Sequence, residues 1–347
     1  MRALLLLLAL VLAACGGQDS SVENGADAPI PEAAEVETTS ASPGASDGAA
    51  RIIPISAAAD VDPCALLSDA EYAGFVEAPL PIRLRQQQVV LLVGADPDLV
   101  TVACEWGRRQ GSGVRIHLGG RGMDRLTRGT TMEAVPELGE GARMVRPTFG
   151  NDPFLVVPVG DRTLKIWGAT RRTSGAGEDQ RKLAEYTAIA RTVLPKVDGL
   201  SPFAPASASS VAGPDVDPCV LLSPEDVGAV TGPVGAVQLA GSQTGTGTGS
   251  DYVQCRWVST EGVPMVEVAL RAPAAFREAA DNPIRQYADG PSIGGAPSLI
   301  GEATVGHHIL IDKGTYVLDV GALVDRDQRD RIEAILERLA TSAHSRL

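Results

Sequence analysis

The stretch Val61-Asp62-Pro63-Cys64-Ala65-Leu66-Leu67-Ser68 returns as Val216-Asp217-Pro218-Cys219-Val220-Leu221-Leu222-Ser223, and Cys104-Glu105-Trp106 returns as Cys255-Arg256-Trp257. This duplication divides the chain into a first repeat at 61–198, a linker at 199–214 and a second repeat at 215–347. Each repeat opens on an Asp cap with Pro at the first helical position (Asp62-Pro63, Asp217-Pro218). Ser68 to Glu71 then reads as a capping box and Ser223-Pro224 as a capped start, so short helices are expected over 69–76 and 224–231. Alternating strands are expected over 114–118 and 154–159, and again over 265–270 and 308–311. Further strands at 163–168 and 315–321 precede a closing helix that begins near a shared Asp-Gln-Arg (179–181 and 327–329). Ile332, Ile335, Leu336 and Leu339 recur at helical spacing, as do Leu183, Tyr186, Ile189, Ala190 and Val193, so both closing helices bury one stripe. Strands grouped between helices argue an α+β class: two repeats, each an antiparallel sheet with a short N-terminal and an amphipathic C-terminal helix.

The first fifteen residues give an address. Arg2 precedes an unbroken apolar run from Ala3 to Ala14 that ends in Leu12-Ala13-Ala14-Cys15. A basic start, a short apolar core and small residues at the cut form an export signal, and the run is too short to span a bilayer. Leu-Ala-Ala-Cys is similar to a bacterial lipobox, which makes Cys15 the expected site of lipid attachment and the mature N-terminus. Several acyl chains would then hold the protein on the envelope membrane, facing the periplasm or the exterior. Residues 16–60 carry eight acids (Asp19, Glu23, Asp27, Glu32, Glu35, Glu37, Asp47, Asp60) against Arg51 alone and no aromatic residue. Such a segment reads as a disordered acidic tether.

With Cys15 assigned to lipid, Cys64, Cys104, Cys219 and Cys255 remain. Four cysteines allow three connectivities, and the repeat selects Cys64 with Cys104 and Cys219 with Cys255. An oxidising envelope favours bridges over thiols. Metal ligation is not expected, because neither repeat places cysteines or histidines at ligand spacing. Trp106 and Trp257 lie two residues beyond the second cysteine of each pair, where a strand would place them against the bridge.

Exported Asp-Pro-Cys-x-Leu-Leu, a later Cys-x-Trp and a Leu-Gly-x-x-Ala turn together resemble the actinobacterial lipoprotein family of unknown function 3558, across 61–198 and 215–345. The resemblance implies envelope lipoproteins without an established activity and a PsbP-like α/β sandwich, and it implies no catalytic residues. The tandem arrangement, and a first helix that ends Phe75-Val76-Glu77 without Gly, depart from a typical single-domain member.

Catalytic signatures are lacking in the sequence: no Gly-x-Ser-x-Gly reads as a strand-to-helix elbow, the letters at 44–48 and 290–294 standing in Gly- and Pro-rich stretches, and there is no His-Glu-x-x-His or Ser-x-x-Lys set. His307 and His308 are neighbours on an expected strand and so point to opposite faces. Glu140 and Glu302 recur at a Gly-rich turn and read as turn acceptors, and the Gly241–Ser250 run reads as a flexible loop. A net charge of −13 excludes nucleic acid as a partner. Arginines at 108–109, 121–128 and 171–172 form at most a local basic face. The expected protein is a non-enzymatic binding or accessory module without cofactor, its partners being the membrane through lipid and an envelope protein, polymer or apolar ligand. The alternative is a hydrolase acting on wall or lipid material.

Overall fold

The structure is a computed structural model that describes residues 48–347 except 90–95, 97–98, 108–112, 121–129, 148–151, 170–176, 205–212, 262, 283–286, 304–305 and 325. The export signal, Cys15, the tether as far as residue 47, the centre of the linker and the three arginine groups lie outside the described residues.

The protein is α+β, built on one 15-stranded, almost entirely antiparallel sheet. After β1 (Arg51–Ile53), the first half contributes β2 (Arg83–Val89), β3 (Val100–Trp106), β4 (Gly113–Gly120), β5 (Thr130–Ala134), β6 (Arg143–Pro147), β7 (Phe154–Val159) and β8 (Arg162–Ala169). The second half contributes β9 (Gly235–Thr244), β10 (Tyr252–Ser259), β11 (Met265–Arg271), β12 (Tyr287–Asp289), β13 (Ser298–Glu302), β14 (His307–Asp312) and β15 (Val317–Leu323). The order from the seam outward is 2-3-4-8-7-6-5 on one side and 9-10-11-15-14-13-12 on the other. The seam itself is antiparallel, pairing Arg83 with Thr244 and Gln86 with Gly241.

Directly paired residues share a sheet face. Cys104 pairs with Arg85, Arg85 with Ser242 and Ser242 with Val253, so the cores of both halves lie on one side of the sheet. The first core gathers Val102, Trp106, Ile116, Leu155 and Ile166 under α2 (Glu178–Val193). The second gathers Trp257, Val268, Ile309 and Val320 under α5 (Ile332–His344). The expected stripe of α5 is buried in full, and Trp106 and Trp257 are each 1% exposed.

Local signals hold closely. Asp62 and Asp217 each accept from the amide two residues on, Cys64 N and Cys219 N, at 2.9 Å. Ser68 caps α1 (Asp69–Phe75) and Ser223 caps α3 (Pro224–Thr231), both with a reciprocal capping box. The acid of each box is seized by a cation from the segment that closes its own half. Lys196 Nζ donates to both Glu71 oxygens at 2.7 Å and to Leu66 O at 2.9 Å. Arg346 Nη1 donates to Asp226 Oδ2 and to Leu221 O, both at 2.8 Å. Cys64 is bonded to Cys104 and Cys219 to Cys255, tying each opening turn to the second strand of its half.

Four expectations need correction. The tether does not extend to 60: Arg51–Ile53 pairs in parallel with Gly235–Val237, and the turn Ala57–Ala59 buries Ala59. Ile52 and Ile53 set two apolar β-branched residues side by side, whereas Val22, Ile30 and Val36 stand singly in the acidic run before them. The two repeats are not separate bodies on a linker, because β2 and β9 fuse them edge to edge, which removes two exposed sheet edges at once. The Gly-Glu recurrence is not an equivalence either. Glu140 sits in a turn between Gly139 and Gly141, whereas Ile300–Glu302 lies within β13. The turn of the second half that occupies the place of 139–141 is at Gly294 and Gly295. Finally, Gly241 to Thr244 belongs to β9, and the rest of the Gly-rich run is a hydrogen-bonded turn.

Candidate functional site

The sheet face opposite the two cores carries most of the buried charge among the described residues. A single cross-strand row runs Lys165, His117, Ala103, Gln86, Gly241, Gln254, Ala269, Asp319 through eight strands and both halves. Lys165 and Asp319 therefore occupy equivalent places, at opposite ends of a path of about 34 Å at ~4.8 Å per strand. In the neighbouring row of each half, Glu105 pairs with Arg115 and Arg115 with Trp167, while Arg256 pairs with Glu267 and Glu267 with Gly321.

In the second half, Glu267, His308 and Asp319 are all buried and bring their ligand-type atoms within 4.8 Å of one another. Two arginines already occupy the carboxylates. Arg256 Nε donates to Glu267 Oε2 at 2.8 Å, and Arg271 Nε donates to Asp319 Oδ2 at 2.5 Å. Asp319 Oδ1 faces His308 Nδ1 at 2.8 Å. Burial opposes ionisation of Asp319, but His308 and Arg271 outweigh it and hold the carboxyl well below the usual range. Burial likewise opposes the Arg271 charge, and Asp319 with Glu267 overcomes it, so its affinity for the proton is raised. A divalent cation placed here would have to displace two guanidinium groups, so this donor set does not fit a metal. His308 lies flat on Gly321, where a Cβ would come within 2.6 Å of its ring. Arg271 also stacks 5.3 Å from the Tyr252 ring centre, and burial, ahead of the nearby charges, pushes the Tyr252 hydroxyl up to about 12.

In the first half the same places hold different groups. Arg115 Nε and Glu105 Oε1 pair at 2.8 Å. Arg115 stands 4.9 Å from the centre of Trp167, and the His117 ring lies 4.3 Å from that indole. Gln88 Nε2 meets His117 Nδ1 at 3.0 Å. Lys165 Nζ sits 4.0 Å from the Phe154 ring centre and 3.9 Å from that of Trp167. Burial pushes the Lys165 ammonium down to about 8, and no carboxylate among the described residues forms an ion pair with it.

The Gly-rich turn is occupied by the chain's own acids. Asp251 Oδ1 accepts from Thr246 N at 2.9 Å, and Glu278 Oε1 accepts from Gly249 N at 3.0 Å. Gly249 lies against α4 (Ala274–Ala280), where a Cβ would stand 2.5 Å from Ala275 Cα. These amides are therefore not free for phosphate. A cleft of about 220 Å³ between α3 and α5, lined by Ala229, Arg331, Ala334, Ile335 and Arg338, contains no acid.

Of the residues singled out in the sequence, the four cysteines and two tryptophans belong to the scaffold. His117 and His308 belong to the outer-face clusters, and His307 does not join His308. Lys165, Trp167, Phe154, Glu267, Arg271 and Asp319 were not singled out. One signal for the ionic frame was present: Cys-Glu-Trp followed by Val114-Arg115-Ile116, against Cys-Arg-Trp followed by Val266-Glu267-Val268. No protein-family model, curated protein or solved structure matches the chain.

Proposed function

We propose that this is a lipid-anchored envelope protein, built by tandem duplication, that works as a non-catalytic binding or accessory module. Lipidation at Cys15 would fix it to the membrane, and the acidic stretch before β1 would hold the fused sheet away from anionic headgroups. The observation that carries the non-catalytic reading is the saturation of Asp319. The His308–Asp319 contact is the arrangement a hydrolase would use to orient a base. A base-orienting carboxylate has an imidazole as its principal partner, and here the second oxygen is committed to Arg271 in the same buried network. The network balances charge within the chain, which is what a scaffold requires. The two disulfides agree with export to an oxidising compartment.

Two measurements test the reading. Intact mass of the protein extracted from membranes should show acyl chains on Cys15, and Cys15→Ser should release it to the soluble fraction. Crosslinking in intact envelopes followed by mass spectrometry should identify a partner on the outer sheet face. Turnover of wall or lipid substrates that is abolished by His308→Gln in a folded variant would overturn the non-catalytic reading.

A further inference from the structure

We infer that the Lys165 patch is a binding site for an oxyanion borne on an apolar body. The inference narrows the binding-module reading to one place and one ligand chemistry, and it rests on that reading without depending on lipid attachment.

The argument starts from charge balance on the outer face. Glu267 is answered by Arg256, Glu105 by Arg115, and Asp319 by both His308 and Arg271. Lys165, which occupies the place equivalent to Asp319, contacts two aromatic rings and has no ion pair among the described residues. Ring quadrupoles attract a cation but carry no net charge, so among the described residues nothing neutralises it. Burial without a counter-ion shows in the proton affinity, which falls to about 8. Around it, β4 presents Arg115 and His117, β3 presents Glu105, already paired, and β7 presents Phe154 and Val156. An anion arriving at Nζ would complete the balance that the second half completes from within.

The walls decide the rest of the ligand. Phe154 is 8% exposed, whereas Trp167 is half-buried and stays within reach of solvent. A head group at Lys165 must therefore lay its substituent along Trp167, and an apolar substituent recovers burial energy there. Phosphate and carboxylate heads share this chemistry, and either a membrane lipid or a free amphiphile could supply it.

The test titrates octyl phosphate, inorganic phosphate and octanol into the full-length Cys15→Ser chain, read by calorimetry. Octyl phosphate should bind, with inorganic phosphate and octanol each at least tenfold weaker. Lys165→Met should weaken octyl phosphate about tenfold or more, the worth of a charge-assisted hydrogen bond, and Lys165→Arg should restore most of it. Lys165→Met removes an uncompensated charge, so it is expected to fold, and its circular dichroism is compared with that of the parent. Equal binding by Lys165→Met, or octanol binding as tightly as octyl phosphate, overturns the inference. Flotation with phosphatidylcholine vesicles, with and without phosphatidylglycerol, names the source. Lys165-dependent flotation assigns a lipid headgroup, and octyl phosphate binding without flotation assigns a free amphiphile. Failure here would leave partner capture elsewhere on the sheet, and acylation of Cys15, untouched.

Discussion

The two halves of the sheet place an ion pair at the same positions and reverse its sign: Glu105 on β3 faces Arg115 on β4, and Arg256 on β10 faces Glu267 on β11. The clasp at the start of each half behaves otherwise. Glu71 and Lys196 in one, and Asp226 and Arg346 in the other, keep the same polarity. The difference has a backbone cause. The clasp acid must accept from a helix N-terminal amide, and the clasp cation must donate to the carbonyl of Leu66 or Leu221. Peptide groups have a fixed polarity, so these roles cannot be exchanged. On the open face, each charge answers chiefly to the other, and the pair can invert as a unit.

The comparison breaks first where compensation is densest. Asp319→Ala would leave Arg271 and His308 facing each other in a buried site, and the expected cost is about 3–5 kcal/mol in urea unfolding. Lys165→Ala, at the equivalent place in the first half, should cost far less. Similar losses at both positions would show that Lys165 is held by compensation as firm as that of Asp319.

Exchange of the face pair is the sharper experiment. Glu105→Gln alone should cost about 2–3 kcal/mol, since it strands a half-buried guanidinium. Glu105→Arg combined with Arg115→Glu should recover to within about 1 kcal/mol of the parent, because the second half already accepts that arrangement. The clasp supplies the control. Asp226→Arg with Arg346→Asp should lose about 1–2 kcal/mol and recover nothing, as the capping box vanishes with the acid. Recovery in the clasp, or none on the face, would reverse the lesson drawn from the two halves.

What could be read from the sequence was the part governed by short-range rules. The Asp-Pro turns, the Ser68 capping box, the Ser223 cap, the α5 stripe and the cysteine pairing follow from residues a few places apart or from the repeat, and the structure places each where those rules put it; that Asp226 closes a second box is added by the structure. β2 escaped because Arg83–Val89 is Arg-Leu-Arg-Gln-Gln-Gln-Val, a segment without alternation. It is a strand because β3 and β9 flank it, and tertiary pairing overrides propensity. The fusion of the halves was hidden for the same reason, since it passes through β2. The site divides along this line too. Glu105 and Arg115 sit on strands adjacent in sequence, and their reversal in the second half is visible in the letters. Lys165, Trp167, His308 and Asp319 join their clusters only because β8 crosses back beside β4 and β15 beside β11, long-range pairings that no local pattern encodes.

The smallest expected effect is the one that separates Lys165 from Asp319 most cleanly. Lys165 titrates near 8 in the folded protein against 10.5 for the free side chain. Between those values the unfolded chain holds a proton that the folded chain has released, so stability rises with pH across the window. Below pH 8 the folded protein bears the cost of a charge held largely out of water between Phe154 and Trp167, on a face whose other charged groups are His117 and the Arg115–Glu105 pair. Lys165→Met removes that cost. Solvent reach and the attraction of two rings limit the gain, which is expected to be about 1 kcal/mol at pH 7 and to vanish near pH 10.5. Asp319 gives the opposite sign: its carboxyl is depressed, so its contribution is intact at neutral pH and is lost only in acid. Urea unfolding of parent and Lys165→Met at pH 7 and pH 10 decides the matter. Parallel pH slopes in the two proteins would mean that Lys165 is not the uncompensated charge of the first half.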